Sequence, residues 1–336
     1  MLDMKKLPLA LTVVGLGAAA SFAEIKINDN FSTSGFVDMS ALGMAPDSGD
    51  ASLGASLDQY EMDFMYKFGF FSARADINSG SGGANTIFTE QAYITAALTT
   101  ELSLGMGRFL STSGFEAAEP TGLYQYSVSK LLSGYLGGTY GGYQNGVNIA
   151  YATPKFGVYG AIVTDIWAGA AETELLKSPG FELQLSVMPV EGVTAKVTGL
   201  FQMYDEDANA AKDNGQDEIN AWASYAKGKI TAAAEFSYFL NWASANPVQK
   251  NDATGMGWLA MFNYKITDKL AATVRYSAVT LDDEISASDD MDSEITLSPS
   301  FAVSPNWLAL AEVRMELDGT DAQKGVAYAV ESTFSF

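Results

Sequence analysis

The sequence contains no cysteine and no histidine. An exported protein of this size without cysteine holds its fold without disulfides. Lack of histidine removes Ser-His and Cys-His catalysis and any His-ligated transition metal. Carboxylate-only or lysine chemistry is left without a supporting motif, so we expect no catalytic residue, no cofactor and no metal. Basic residues are scarce: 19 Lys and Arg stand against 40 Asp and Glu, a formal net charge of −21. That balance excludes nucleic acid as a partner, because nucleic-acid binding needs a basic footprint. Long apolar runs are also missing. Beyond residue 23 no stretch approaches the length of a membrane-spanning helix without a charge, which takes about 20 apolar residues.

The N-terminus has the form of an export leader. Lys5-Lys6 precede an apolar run from Leu7 to Ala20, followed by Ser21-Phe22-Ala23. A basic segment, a short apolar segment and a small-x-small site predict cleavage after Ala23. Asp3 is unusual there, and Met4 is an alternative start to Met1. Residues 24–336 then form a single domain of net charge −22.

In that domain the apolar residues alternate. Tyr60, Met62, Phe64, Tyr66 and Phe68 share one face and Gln59, Glu61, Asp63 and Lys67 the other. Similar stripes run from Ile230 to Leu240, Met256 to Ile266, Leu270 to Tyr276 and Trp307 to Leu317. Alternation means strands with one apolar face. Their length, about 9–13 residues, suits oblique bilayer crossing better than a soluble sandwich. The chain ends Tyr328-Ala-Val330-Glu-Ser332-Thr-Phe334-Ser-Phe336, an alternating strand with a terminal aromatic. Paired with the first strand near 30–40, it would close a barrel and leave no edge in lipid. Tyr328, Val330, Phe334 and Phe336 are therefore the expected assembly signal, addressed to the barrel-assembly machinery.

Connections alternate long and short. Long ones are read at 41–55, 79–86, 110–139, 167–179, 204–216, 241–254, 281–291 and 318–324; short ones fall near Phe68, Thr99-Thr100, Pro154-Lys155, Val190-Glu191, Gly228, Thr267-Asp268 and Ser304-Pro305. Short periplasmic turns and long external loops are the outer-membrane pattern. The fold class is thus an all-β transmembrane antiparallel up-and-down barrel of about 16 strands, with 14 to 18 open. A barrel of that size leaves an aqueous channel. The inward phase carries Glu61, Asp63, Arg74, Asp76, Glu182, Lys196, Glu235, Arg275, Glu294, Glu312, Arg314 and Glu316, so a wet, charged lumen is expected.

The longest connection, 110–139, has room either to fold into the lumen or to pack outward. Folded inward, it would bring Glu116, Glu119 and Lys130 to face Arg74, Arg275 and Arg314. With Lys196 and Glu312, these are the candidate pore-lining residues. The segment before it, Gln91-Ala92-Tyr93, then Gly105-Met106-Gly107-Arg108-Phe109 and Gly114-Phe115-Glu116, and later Tyr143-Gln144-Asn145-Gly146-Val147, resembles the OmpL-like family of β-barrel porins. Asn145 replaces the family's Thr in its Thr-Gly-Val step. The resemblance is specific over residues 87–150 and loose elsewhere. It implies an outer-membrane porin, with no substrate attached.

Acid clusters at Asp205-Glu206-Asp207, Asp213, Asp217, Asp282-Asp283-Glu284 and Asp289-Asp290-Met-Asp292. These offer oxygen ligands but match no EF-hand loop and read as solvated loops. At a channel mouth they would favour cations. Two functions stay open: a passive, mildly cation-selective channel for small hydrophilic solutes, and a surface-interaction barrel with a blocked lumen. Lipids of the outer membrane are the expected surroundings, and monomer and homotrimer both remain open.

Overall fold

The computed structural model describes residues 24–46, 50–80, 87–133, 139–167, 179–203, 216–242, 253–282, 290–318 and 325–336. Sixteen antiparallel strands follow one another around a closed barrel: β1 Phe31–Pro46, β2 Ser52–Phe68, β3 Phe71–Gly80, β4 Ile87–Ala97, β5 Leu102–Leu110, β6 Tyr143–Ala152, β7 Phe156–Val163, β8 Gly180–Val187, β9 Val193–Gln202, β10 Gln216–Lys227, β11 Ile230–Trp242, β12 Ala253–Lys265, β13 Leu270–Asp282, β14 Asp290–Ser304, β15 Trp307–Glu316 and β16 Gly325–Ser335. A two-residue pair, Ile25–Lys26, lies antiparallel against Thr33 and Ser32 of β1. Closure is by β16 on β1, from Gly325 opposite Pro46 to Ser335 opposite Phe36. No described helix is long and apolar enough to cross a membrane.

Side-chain alternation decides which face is which. Outward positions are exposed and apolar, as with Leu183 and Leu185 of β8. Their neighbours Glu182 and Gln184 point inward and are buried. Exposed aromatics collect at the short-turn end: Phe68 and Phe71, Tyr151 and Phe156, Tyr264, Trp307 and Phe334. Rings with one apolar and one wet surface belong at a membrane interface. The tightest turns need a left-handed residue, and Gly228 supplies it between β10 and β11 at φ 65°.

The sequence-read boundaries hold within a few residues except in three places. The expected long connection 41–55 is mostly strand, because β1 runs on to Pro46 and β2 begins at Ser52. A bulge between Asp38 and Met39 shifts the register there, which breaks the period-2 pattern. Residues 140–142 and 164–166 lie outside the sheet; Tyr140 and Ile166 are buried instead. Asp217, Asp282, Asp290 and Asp292, grouped with the loop acid, sit in β10, β13 and β14. The leader 1–23 and the acid of Asp205-Glu206-Asp207, Asp213, Asp283-Glu284 and Asp289 lie outside the described residues.

The inward face is polar and charged as expected, but it also holds apolar residues. Leu131, Tyr140, Phe239, Leu259, Met261 and Val279 form one buried apolar cluster, and Phe109, Tyr159, Val163, Ile166 and Leu200 another. On strand faces that carry Glu235 and Thr198, these apolar residues keep the inward phase. The first cluster includes Leu131 and Tyr140 of the long connection between β5 and β6, with Phe115 and Tyr124 packed on it; the second is covered by Tyr93 and Trp167.

Candidate functional site: the inward loop and its charged cradle

Residues 111–133 and 139–142 lie inside the barrel and touch its wall on many sides. An irregular segment packed against a wall must find acceptors for those of its N–H groups that are buried. The wall supplies carboxylates, which make stronger acceptors than neutral oxygens. The Thr112 amide donates to Glu182 Oε1 at 2.7 Å, Phe115 to Glu235 Oε1 at 3.2 Å and Ser127 to Glu312 Oε2 at 2.9 Å. The Gly114 amide donates to Asn220 Oδ1 at 3.3 Å. The Tyr140 hydroxyl donates to Glu235. Ser40 of β1 donates its hydroxyl to Tyr126 at 3.1 Å. Phe115 meets Trp222 edge-on, ring centroids 5.6 Å apart. Among its described residues, one turn of 3-10 helix, Pro120–Gly122, and a four-residue helix, Lys130–Ser133, are the loop's regular parts.

Arg275 on β13 is the hub of the cradle and is 0% exposed. Its Nη1 donates to Glu116 Oε1 at 2.8 Å and to the Ser127 carbonyl at 2.7 Å. Its Nη2 donates to Ser127 Oγ at 2.9 Å and to Glu294. Glu116 also accepts from Gln125 Nε2 at 2.7 Å and the Ser129 amide at 2.6 Å. Next to this hub, Lys130 pairs with Asp292 at 2.9 Å, Glu316 at 2.6 Å and Glu294 at 3.7 Å. Burial works against the ammonium, but Glu316, Glu294 and Asp292 outweigh it and raise the Lys130 pKa. Arg314 completes the group, 3.1 Å from Glu316 and 3.8 Å from Glu294.

Of the candidates read from sequence, the structure therefore gathers Glu116, Lys130, Arg275, Glu312 and Arg314 along the β13–β15 wall. Lys130 meets acids shared with Arg314 rather than a basic wall. Arg74 and Glu119 belong to a second group on the β2–β4 wall. Arg74 Nε donates to Asp76 at 2.7 and 2.9 Å, and its Nη2 lies 3.4 Å from Asp63. Glu119 meets Glu61 and Glu90, the three carboxylates offering oxygens within 4.8 Å of one another. Burial pushes the Glu119 pKa up to about 7; Arg74 pulls the other way, and Asp63, Asp76 and Glu90 add to the rise. Lys196 lies on β9, its Nζ 5.3 Å from the Trp222 ring centroid. Tyr328, Val330 and Phe334 face outward and are exposed, while Phe336 is half-buried.

Sequence reading placed Glu182 and Glu235 on the inward face but not their task of holding loop amides. Nothing local marks that task, since each partner lies far along the chain. The interior is closely packed at the height of the loop: Glu61, Glu182, Asn220 and Thr198 are all 0% exposed.

The family model described as "Putative beta-barrel porin-2, OmpL-like" matches residues 55–334. No curated protein sequence matches the chain. Among solved structures, OmpF of Salmonella typhi, in complex with daunomycin, is 12% identical with a TM-score of 0.73 over 93% of this chain and 100% of its own. The anion-selective porin from Comamonas acidovorans is 14% identical with a TM-score of 0.65 over 91% and 99%. OmpT of Vibrio cholerae in its trimer form is 11% identical with a TM-score of 0.61 over 92% and 100%. Likeness at such identity is likeness of fold.

Proposed function

The chain belongs to the OmpL-like porin-2 family of β-barrel porins, and on that footing we propose that it forms a narrow outer-membrane channel that passes small ions and hydrophilic solutes and prefers cations. The observation that carries the cation preference is the composition of the packed interior. Glu61, Asp63, Asp76, Glu90, Glu116, Glu119, Glu182, Glu218, Glu235, Glu294 and Glu312 face Arg74, Lys130, Lys196, Arg275 and Arg314. Carboxylates outnumber cations, and in a low-dielectric passage an excess of one sign acts more strongly than at an open mouth. The fold does not decide the sign, since an anion-selective porin shares it.

We infer that the leader 1–23 directs export, that the exposed apolar band meets outer-membrane lipid, and that the C-terminal strand is read by the barrel-assembly machinery. A homotrimer is the assembly we favour, because OmpT, of like fold, has a trimer form. No catalytic role is assigned.

Reversal potentials in planar bilayers under a KCl gradient test the selectivity. A cation preference of several-fold is expected near 0.1 M salt. It should shrink toward none at 1 M, as the Debye length falls from about 10 Å to about 3 Å. Anion preference at low salt would refute it.

A second reading is favoured by one observation, the near-complete burial of Arg275, Glu182, Asn220 and Glu61. On that reading the loop blocks the lumen and the barrel acts through its surface. Bilayers holding the folded protein separate the two readings: single-channel steps in the wild type support the channel, and silent membranes that conduct only when the loop is released support the plug.

A further inference from the structure

We propose that Glu61 of β2, Glu90 of β4 and Glu119 of the inward loop, with the Asn78 side-chain carbonyl of β3, form a binding site for one divalent hard cation, Ca²⁺ foremost. The three carboxylates offer oxygens within 4.8 Å of one another. Among the described residues none of the three forms an ion pair. Arg74 is engaged by Asp76 and Asp63. Arg108 donates its Nε to the Glu90 backbone carbonyl at 2.7 Å and lies over the Tyr143 ring, 5.9 Å from its centroid. Tyr143 donates its hydroxyl to Glu90 Oε2 at 3.0 Å, and Gln59 Nε2 donates to Glu61 Oε2 at 3.0 Å.

The independent observation is a pair of orphaned acceptors. Asn78 is 3% exposed, stands opposite Glu61 in the strand register and donates its Nδ2 to Glu90, yet its Oδ1 has no partner. Glu61 is 0% exposed, and its Oε1 has no partner either. Buried oxygens left bare beside unpaired carboxylates are costly. Ca²⁺ takes six to eight oxygens from carboxylates, amide carbonyls and waters, so one ion would satisfy both orphans and offset the converging charge. The sequence offers no metal motif because the ligands come from three elements. The site does not depend on whether the barrel conducts. Its occupation would tie the Pro120–Gly122 turn to the β2–β4 wall, while Arg275 ties Glu116 and Ser127 to the β13–β14 wall.

The test is Ca²⁺ binding by calorimetry to the folded full-length barrel in detergent, together with Tb³⁺ emission excited through the adjacent Tyr143. We expect one ion above the background of the chain's other acidic residues, with affinity weakened at least tenfold in Glu119→Gln and in Glu61→Gln. Glu119 is on the loop, so Glu119→Gln tests the site even if Glu61→Gln does not fold. Indistinguishable binding in wild type and Glu119→Gln, or no binding by wild type up to about 10 mM Ca²⁺, beyond the weak extracellular range, would overturn the proposal.

Discussion

Replacing Arg275 with methionine should open the barrel. Among the described residues, Arg275 is the single group that ties Glu116 and two atoms of Ser127 to the β13–β14 wall. Removing one member of a buried ion pair typically costs about 3–5 kcal/mol, since the partner is left buried and uncompensated. Glu116 would be that partner, whereas Glu294 keeps Lys130 at 3.7 Å and Arg314 at 3.8 Å. If that loss falls on the docked loop alone, the ratio of docked to released loop drops by roughly two to three and a half decades. Single-channel conductance should rise several-fold over wild type, and residues 115–132 should become accessible to protease in folded, heat-modifiable barrel. The double variant Glu116→Gln with Arg275→Met should show less than the summed single effects, because the two side chains act on each other directly. Unchanged conductance and full protection in Arg275→Met would mean that Glu182, Glu235 and Glu312 hold the loop without it.

The same result separates the two functional readings. A channel that is narrow but open in the wild type conducts before and after the substitution, with a larger step afterwards. A plugged barrel is silent before and conducts only after. In both cases the carboxylates that serve the loop amides are freed when it leaves, so cation preference should persist or grow in the released state.

How much of this is legible in the chain follows from where each constraint acts. Lipid imposes one period on every strand, so alternation alone locates the strands. Turn length sets the spacing, and the terminal Phe334 and Phe336 point to the seam. The places where strand reading fails are those where the period is locally broken. The bulge at Asp38 and Met39 shifts the phase of β1, and Gly43, Gly54 and Ala55 give no contrast between faces. The filled interior is harder to see. Phe239, Leu259 and Met261 keep the inward phase and reveal themselves as a core only when Leu131 arrives from the loop. Glu116 and Arg275 are separated by 159 residues, so no local pattern couples them. The charges themselves were visible; their pairing depends on which wall the loop reaches.

Deleting Phe336 should lower the yield of folded barrel in the outer membrane several-fold. The reason lies at the end of the seam. The Phe336 amide donates to the Gly35 carbonyl at 2.9 Å, and the Gly35 amide donates to the Phe336 carbonyl at 2.8 Å. The Phe336 ring lies over Gly35: a Cβ added there would come 2.9 Å from the ring's Cζ. An aromatic covering a strand glycine is a known way to pin register, and Tyr328 stands over Gly43 on the same pair of strands. Two lost hydrogen bonds amount to about 1–3 kcal/mol, with a further penalty if the freed edge faces lipid. Phe336→Ala keeps the backbone bonds and loses the ring, so it should fall between wild type and the deletion; Phe336→Tyr should be nearly silent. Refolding into lipid vesicles without any assembly machinery divides the two causes. If the seam alone matters, the deletion folds poorly in vesicles as well as in cells. If the machinery reads the terminal aromatic, the deletion folds normally in vesicles and fails only in cells. Wild-type yield of heat-modifiable barrel in cells would eliminate both roles for Phe336.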